Sequence, residues 1–419
     1  MADTAFGYLC QNTRRDILDG VALEGYRLPF SIAALMHDCA HAVFSHSFEA
    51  WYDHSGRATK LLLGLANDAE FKLDYEERCT SGPSGLPNPP AAHEIFSAAM
   101  FLKFYGKAFS EGDPLLVARM ITGVKHRSAT TRKQQVENCL ILLINSDAID
   151  MDKLDYILRD TWASGVSNVS IDIVRLLRSV MLDEFDNHLV PCFSGSAQSV
   201  IQSVVDGRNH LYRWVYAHNT VRYYEYILQK AAKKLFDVLP PAQDGTTFVN
   251  AFFGERVFSE TVECGGHRLY LPTDGDLWFL LKHHRADIPE VDEILSRSPR
   301  LVPLWKTSAE YEVIFADKLL DEQRLKIQHQ VPKLLSPVLG TPVGPDDILV
   351  TSVKPNTKDI KPGDIFISIK GRVSSFTTAV PDYNVSNSQT KPFYYVFIPK
   401  AAAAKRDACI AALHDAPVY

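Results

Sequence analysis

Three histidines and two carboxylates fall within thirteen residues, in the run His37-Asp38-Cys39-Ala40-His41-Ala42-Val43-Phe44-Ser45-His46-Ser47-Phe48-Glu49. The run follows directly on the apolar stretch Ile32-Ala33-Ala34-Leu35-Met36. A histidine beside an aspartate offers one imidazole and one carboxylate from adjacent positions, a good start for a hard or borderline divalent metal. On a continuing helix His37 and His41 project from one face. His46 and Glu49 follow at a spacing suited to proton transfer or phosphate contact. A lone histidine is more often a core or surface residue, but this density weighs against that reading.

Composition excludes several classes. The 419 residues allow two or three domains, or one large domain with additions. With 46% hydrophobic and 22% charged residues and a mean hydropathy near zero, the chain reads as globular with a sizeable core. No apolar run approaches the ~18 residues that span a bilayer, and residues 1–30 lack the apolar core of a signal peptide. The seven cysteines are scattered, without a Cys-x-x-Cys pair, which predicts reduced thiols and a cytoplasmic location. A net charge of −6 gives no bulk attraction to nucleic acid, so any phosphate binding must come from local clusters.

The expected fold class is mainly α, a helical bundle with a smaller C-terminal α+β region. Apolar periodicity predicts helix over 4–36, and again after the histidine run through Leu61-Leu62-Leu63. Residues 79–90 are too rich in Gly and Pro for helix. A helix should open just after Pro90 and carry His93-Glu94 to about Tyr105. Helical patterns recur to about Leu239, where Pro240-Pro241 and Gly245 mark a boundary, and 246–335 reads as mixed but mostly helical. Strands are expected at 348–353, 364–369 and 393–398, and a last helix from Ala401 to His414. The expected domains are therefore 1–238, 239–339 and 340–419.

Two further blocks carry chemistry. On a helix from Asp150, Leu154, Ile157 and Leu158 share one face while Asp152, Asp155, Tyr156 and Arg159 share the other, with Asp160 at its edge. An ordinary amphipathic helix is the plain alternative, and the block gains weight only beside the histidine run. Arg208, Tyr212 and Tyr216 stand at i, i+4 and i+8, one stripe if helical. The arginine offers a fork for phosphate oxygens, and the tyrosines can stack on or hydrogen-bond a sugar or base. Core packing explains such a stripe equally well. His93 could serve as a general acid if a carboxylate such as Glu49 keeps it protonated.

Together these blocks resemble the HD-domain phosphohydrolases, specifically their deoxynucleotide triphosphohydrolase branch. The matching elements are His37-Asp38-x-x-His41-x-x-Phe44-Ser45-His46, His93-Glu94, Asp150-x-Asp152-Lys153-Leu154-Asp155-Tyr156-x-x-Arg159-Asp160 and Arg208-x-x-x-Tyr212-x-x-x-Tyr216, in order over roughly residues 1–235. The resemblance implies a helical bundle around one divalent metal (Mn, Fe, Zn, Ni or Mg), with His37, Asp38 and Asp152 as ligands. His41, His46, Glu49 and His93 would line the reacting phosphate, with Glu94 supporting His93. Lys153, Tyr156, Asp160, Arg208 and Tyr216 would hold triphosphate and sugar. Tyr212, from the stripe, joins this substrate-binding set. The implied substrate is a deoxynucleoside triphosphate and the implied assembly a homo-oligomer. Two other readings stay open: a degenerate HD protein that senses or binds nucleotide with an incomplete metal site, and an HD phosphodiesterase or nucleotidase acting on another phosphate ester. Family members carry a further metal-binding histidine in a His-Ser pair some forty residues before the His-Asp pair. Residues 1–36 contain no histidine, and Thr4-Ala5-Phe6 resembles the segment just after that pair. Ala40, Ala42 and Val43 stand where the family has glycines and a proline, so the bend that would turn His46 toward a pocket, expected near Ala42, has no breaker residue to make it.

Overall fold

The computed structural model describes residues 1–52, 56–80, 88–109, 112–165, 170–239, 252–253, 261–264, 267–315, 330–340, 342–344, 347–353, 360–383 and 393–415. Within them the chain is mainly helical with a smaller α+β part, as its periodicity predicts. The expected boundary at Pro240-Pro241 and Gly245 and most of the 79–90 loop lie outside the described residues, as do parts of 246–335.

In chain order the first helices are α1 (Ala2–Asn12), α2 (Arg27–Met36), α3 (Arg57–Ala66), α4 (Ala69–Thr80), α5 (Ala92–Phe104), α6 (Pro114–Thr122), α7 (Arg132–Ile144) and α8 (Met151–Ser164). The 4–36 helix is thus two helices joined by 3₁₀ turns at Arg15–Leu18 and Leu23–Tyr26. Local chemistry sets several of these ends. Asp113 caps α6 by accepting the Leu115 N–H at 2.8 Å, with Pro114 at the first position and left-handed Gly123 closing it. Thr131 and Gln134 form a capping box on α7, and left-handed Gly165 ends α8. Helix α5 is buried over most of its circumference, from His93 through Phe101, and packs against α3 and α6. Its Ser97-Ala98-Ala99 stretch leaves room for those neighbours to approach.

Next come β1 (Val180–Phe185) and β2 (His188–Ser194), where helix was expected. Asp186 and Asn187 both hold positive φ (49° and 64°), the conformation a two-residue hairpin turn demands. Alternating burial in β1 is the matching period-2 signal. The chain continues through α9 (Gln198–Leu211), α10 (Asn219–Val238), β3 (Val262–Cys264), β4 (His267–Leu269), α11 (Asp274–His283), α12 (Pro289–Ser296), β5 (Leu301–Pro303), α13 (Ser308–Phe315), α14 (Val331–Leu339), β6 (Leu349–Val353), β7 (Phe366–Ile369), β8 (Arg372–Ser375), β9 (Phe393–Pro399) and α15 (Arg406–His414).

Contacts among these elements divide the chain into two compact units. The first comprises Met1–Arg208, Leu239–Leu277 and Lys358–Ser386; the second comprises Asn209–Val238, Trp278–Thr357 and Asn387–Tyr419. The segments 1–238, 239–339 and 340–419 remain a proposal drawn from the sequence. In the first unit β1, β2, β7 and β8 form one sheet, with β2 and β7 parallel (Cys192 opposite Phe366) and the other pairs antiparallel. In the second unit β9 runs between β5 and β6, antiparallel to both. Buried throughout Phe393–Ile398, β9 is the centre of a core that includes Trp305, whose Nε1–H donates to the Tyr394 carbonyl at 2.7 Å. The three strands expected in the C-terminal region are all present, but the middle one pairs with β2, far back in the chain.

Candidate functional site

The histidine run leaves the helix as soon as α2 ends at Met36. Tight turns follow: the Cys39 N–H returns to the Met36 carbonyl and the His41 N–H to Asp38, each at 3.2 Å. The Ala40 N–H donates to Ser97 Oγ at 3.1 Å, pinning the turn to α5. That bond takes a donor which a helical ladder would need, so the helix does not continue through His37 and His41. The missing bend appears two residues later than expected. Phe44 (φ 55°) and Ser45 (φ 54°) both adopt the left-handed conformation without glycine. Each such residue costs about 1–2 kcal/mol. The Ser45 N–H meets the Ala42 carbonyl and the Phe44 N–H meets Asp274 Oδ1, both at 2.7 Å. Two bonds at about 0.5–1.5 kcal/mol each offset much of that strain.

The bend delivers His46 into a cluster of imidazoles. His41 and His93 stack with ring centroids 4.0 Å apart, and His46 stands edge-on at 4.9 Å from His41 and 5.8 Å from His93. The His37 ring lies 6.3 Å from that of His93. Glu49 joins two members, with Oε2 2.9 Å from His46 Nδ1 and Oε1 3.0 Å from His93 Nδ1. Those two hydrogen bonds hold the Glu49 carboxyl well below the usual carboxylate range. His41 is pushed down to about 4 by burial and by the neighbouring imidazoles of His93 and His46, and so stays neutral.

On the other side of Asp38, the His37 Nδ1 sits 3.0 Å from Asp38 Oδ1 and 3.8 Å from Asp152 Oδ1. One ligand atom from each of His37, Asp38 and Asp152 falls within 4.8 Å of the others. Burial raises the Asp152 carboxyl to about 6, with the Asp150 and Asp38 charges adding to it against His37. Burial disfavours the His37 cation, yet the Asp38 hydrogen bond and the Asp152 and Glu94 charges carry the ring to about 9. For Asp38 too burial works upward, and the His37 bond overrides it to about 2. Negative charge is thus concentrated around the protonated His37 imidazole, and among the described residues the buried His37 Nε2 has no hydrogen-bond partner. One imidazole and two carboxylates in such a place fit a divalent cation. Asp38, His41 and His93 form a second set of three within the same limit.

The remaining expected residues are placed as follows. Glu94 accepts the Ala91 N–H at 2.8 Å and so fixes the start of α5, while the hydrogen-bond partner of the His93 ring is Glu49. Asp150 caps α8 through the Lys153 N–H (2.8 Å) and also binds the Lys153 ammonium at 2.6 Å, which donates in turn to the Ser146 carbonyl at 2.6 Å. Lys153 is therefore buried in an ion pair at the helix start. Buried Arg208 donates from Nε to the Tyr156 hydroxyl at 3.0 Å, and half-buried Asp160 lies 3.5 Å from Arg159 Nε. Tyr212 and Tyr216 belong to the second unit, where their rings meet edge-on at 5.0 Å in a π-helical turn, Tyr212–Tyr216. The wider π turn breaks the expected α-helical stripe. Sequence reasoning missed Asp274, since nothing local ties it to Phe44. It also missed Glu70, Asp74 and His126, which come together in the first unit. Asp74, though, is already committed to Arg119 at 2.8 Å and to Arg127 at 3.6 Å.

No family model matches the chain. Over 210 residues it is 30% identical to the uncharacterized protein YwfO of Bacillus subtilis, a match covering 49% of this chain and 37% of that protein. Over 223 residues it is 25% identical to a Dictyostelium discoideum protein named as a homolog of the deoxynucleoside triphosphate triphosphohydrolase SAMHD1, covering 52% of this chain and 36% of that protein. Over 196 residues it is 28% identical to deoxynucleoside triphosphate triphosphohydrolase SAMHD1 of Bos taurus, covering 45% of this chain and 30% of that protein. The chain thus spans 30–37% of the length of these three relatives.

Proposed function

We propose that this chain is a metal-dependent HD-type phosphohydrolase that cleaves a deoxynucleoside triphosphate to the deoxynucleoside and triphosphate. The observation that carries the reading is the convergence of His37, Asp38 and Asp152 beside the imidazoles of His41, His46 and His93. The two relatives named as triphosphohydrolases support the choice of substrate. In this reading His37, Asp38 and Asp152 hold the metal, whose chemistry when bound is to polarise a phosphate oxygen. Glu49 keeps a proton on His93 Nδ1 and so directs the other ring nitrogen to the leaving 5′-oxygen. That nitrogen supplies the proton the oxygen needs as its bond to phosphorus breaks. His46 shares Glu49 with His93 and orients it, neutral His41 stacks on His93 as a hydrogen-bonding wall, and Glu94 fixes the helix that carries His93. Tyr156 and Arg208, joined at 3.0 Å, bind polyphosphate and sugar together with Asp160. A homo-oligomeric state and a cytoplasmic location belong to the same proposal.

The decisive experiment is phosphorus NMR of each of the four deoxynucleoside triphosphates incubated with pure protein and added Mn²⁺, Fe²⁺ or Zn²⁺. Release of intact triphosphate supports the reading. Pyrophosphate or orthophosphate as the first product would move the chain to another phosphoester reaction. Failure to take up any of these metals at excess would favour the nucleotide-sensing alternative.

A further inference from the structure

We propose that Asp274 is a positioning residue for this site: by accepting the Phe44 N–H it holds the left-handed bend that sets His46 against Glu49 and His93. The proposal rests on the function above for its kinetic arm alone. Two successive left-handed residues with side chains persist only where the surroundings over-determine them, and such residues gather at functional sites. Here the bend lies between His41 and His46, and it decides whether the His46 ring comes within 2.9 Å of Glu49. Glu49 in turn holds His93, so an error at Phe44 is passed to the imidazole proposed as the acid.

Support for the bend comes from far along the chain. Asp274 opens α11. Thr273 and Asp276 make the helix start between them, with Thr273 N–H and Oγ1 bonding Asp276 Oδ2 at 2.7 and 2.8 Å. The Asp274 carboxylate reaches the Phe44 N–H at 2.7 Å. Its own segment is bent to present it, since Leu271, just before Pro272, also has positive φ (47°). A second anchor comes from the same stretch of the first unit: Phe253 stacks on Phe48 at 5.5 Å and meets Trp51 edge-on at 5.9 Å. Phe253 fixes the far side of the 3₁₀ turn Ser45–Phe48, and Asp274 fixes its entry.

The test compares Asp274→Ala and Asp274→Asn in the full chain, using steady-state kinetics, metal content and amide hydrogen exchange. Asp274 is exposed, so circular dichroism should report both variants folded. For Asp274→Ala, kcat should fall about 10- to 100-fold, the size of effect a misplaced group produces, with KM and metal content unchanged. The Phe44 amide should exchange about three to ten times faster, the range for one lost hydrogen bond, while α2 amides are unaffected. Asp274→Asn keeps an oxygen acceptor and should restore most of both. A variant Asp274→Ala that changes KM alone, or leaves Phe44 exchange unaltered, overturns the proposal. So does Asp274→Asn as slow as Asp274→Ala. If the wild-type protein releases no triphosphate from any nucleotide, the proposed function fails, and the exchange arm still decides whether Asp274 holds the bend.

Discussion

Glu49 has two oxygens and two imidazoles to serve, one on each side. A carboxylate so bonded remains ionised at any pH near neutrality, and it fixes which nitrogen of His93 keeps its proton. His93→Ala should therefore lower turnover by about two to four orders of magnitude while metal content stays at the wild-type level. A variant that loses its metal would instead make His93 part of the ligand set, which its nearness to Asp38 and His41 makes a real contrast. Arg208 invites a similar test. Arg208→Ala should weaken triphosphate binding by about 1.5–3 kcal/mol, read as a rise in KM, since a charged hydrogen bond is lost. An unchanged KM with a lowered unfolding midpoint would mark it as a structural partner of Tyr156 only.

At the scale of elements, the start of α8 matters because it carries Asp152. Asp150 does three things there: it caps the helix, accepts the Ser146 N–H at 2.9 Å and pairs with buried Lys153. Removing it strands an ammonium in the interior. Asp150→Ala should thus destabilise the protein by about 3–5 kcal/mol, the cost of breaking a buried ion pair by one partner. Asp150→Asn, which can still cap, should lose less. Urea unfolding of the three proteins decides, and a loss under about 1 kcal/mol would mean the ammonium reaches water. A surface pair makes the comparison: Lys361 and Asp147, bonded at 2.6 Å and each about two-fifths exposed, should contribute about 0–1 kcal/mol.

For the molecule as a whole, acid is the informative variable. In the first unit Glu137 is a buried carboxylate whose pKa burial would raise but which His126, Lys133 and Tyr26 hold down. In the second, Glu290 is likewise held down against burial, by Lys234 and Lys230. A carboxylate with a lowered folded pKa stabilises the fold above its unfolded value, and that contribution is lost as pH falls through the folded one. The contributions of these two glutamates should therefore be complete down to about pH 4.5, the ordinary glutamate value, and be lost progressively below it. Glu290→Gln should lower stability at pH 7 and flatten the acid limb. If Glu290→Gln and wild type lose stability in parallel below pH 4.5, other carboxylates control the acid transition.

The histidine run, the start of the His93 helix and the helix after Asp150 are legible because each depends on residues within a few turns of chain. Caps, prolines and apolar periods act locally. The three C-terminal strands are legible for the same reason, through β-branched and aromatic runs. What local chemistry leaves open is pairing. Nothing near Phe366 says that it lies beside Cys192, and nothing near Val180 outweighs helical periodicity except the Asp186-Asn187 turn. The site divides along the same line. Its residue types and spacing are written in 37–49, but a left-handed bend at Phe44 and Ser45 is unfavourable in isolation. Contacts made in the folded chain, among them Asp274 on the Phe44 N–H and Ser97 on the Ala40 N–H, help make it the lower-energy path. The sequence by itself determined which groups are available and on which elements they ride. Tertiary structure decided which backbone strain is tolerated, which charges meet and where Lys153 spends its ammonium, because those are sums over partners distant in the chain.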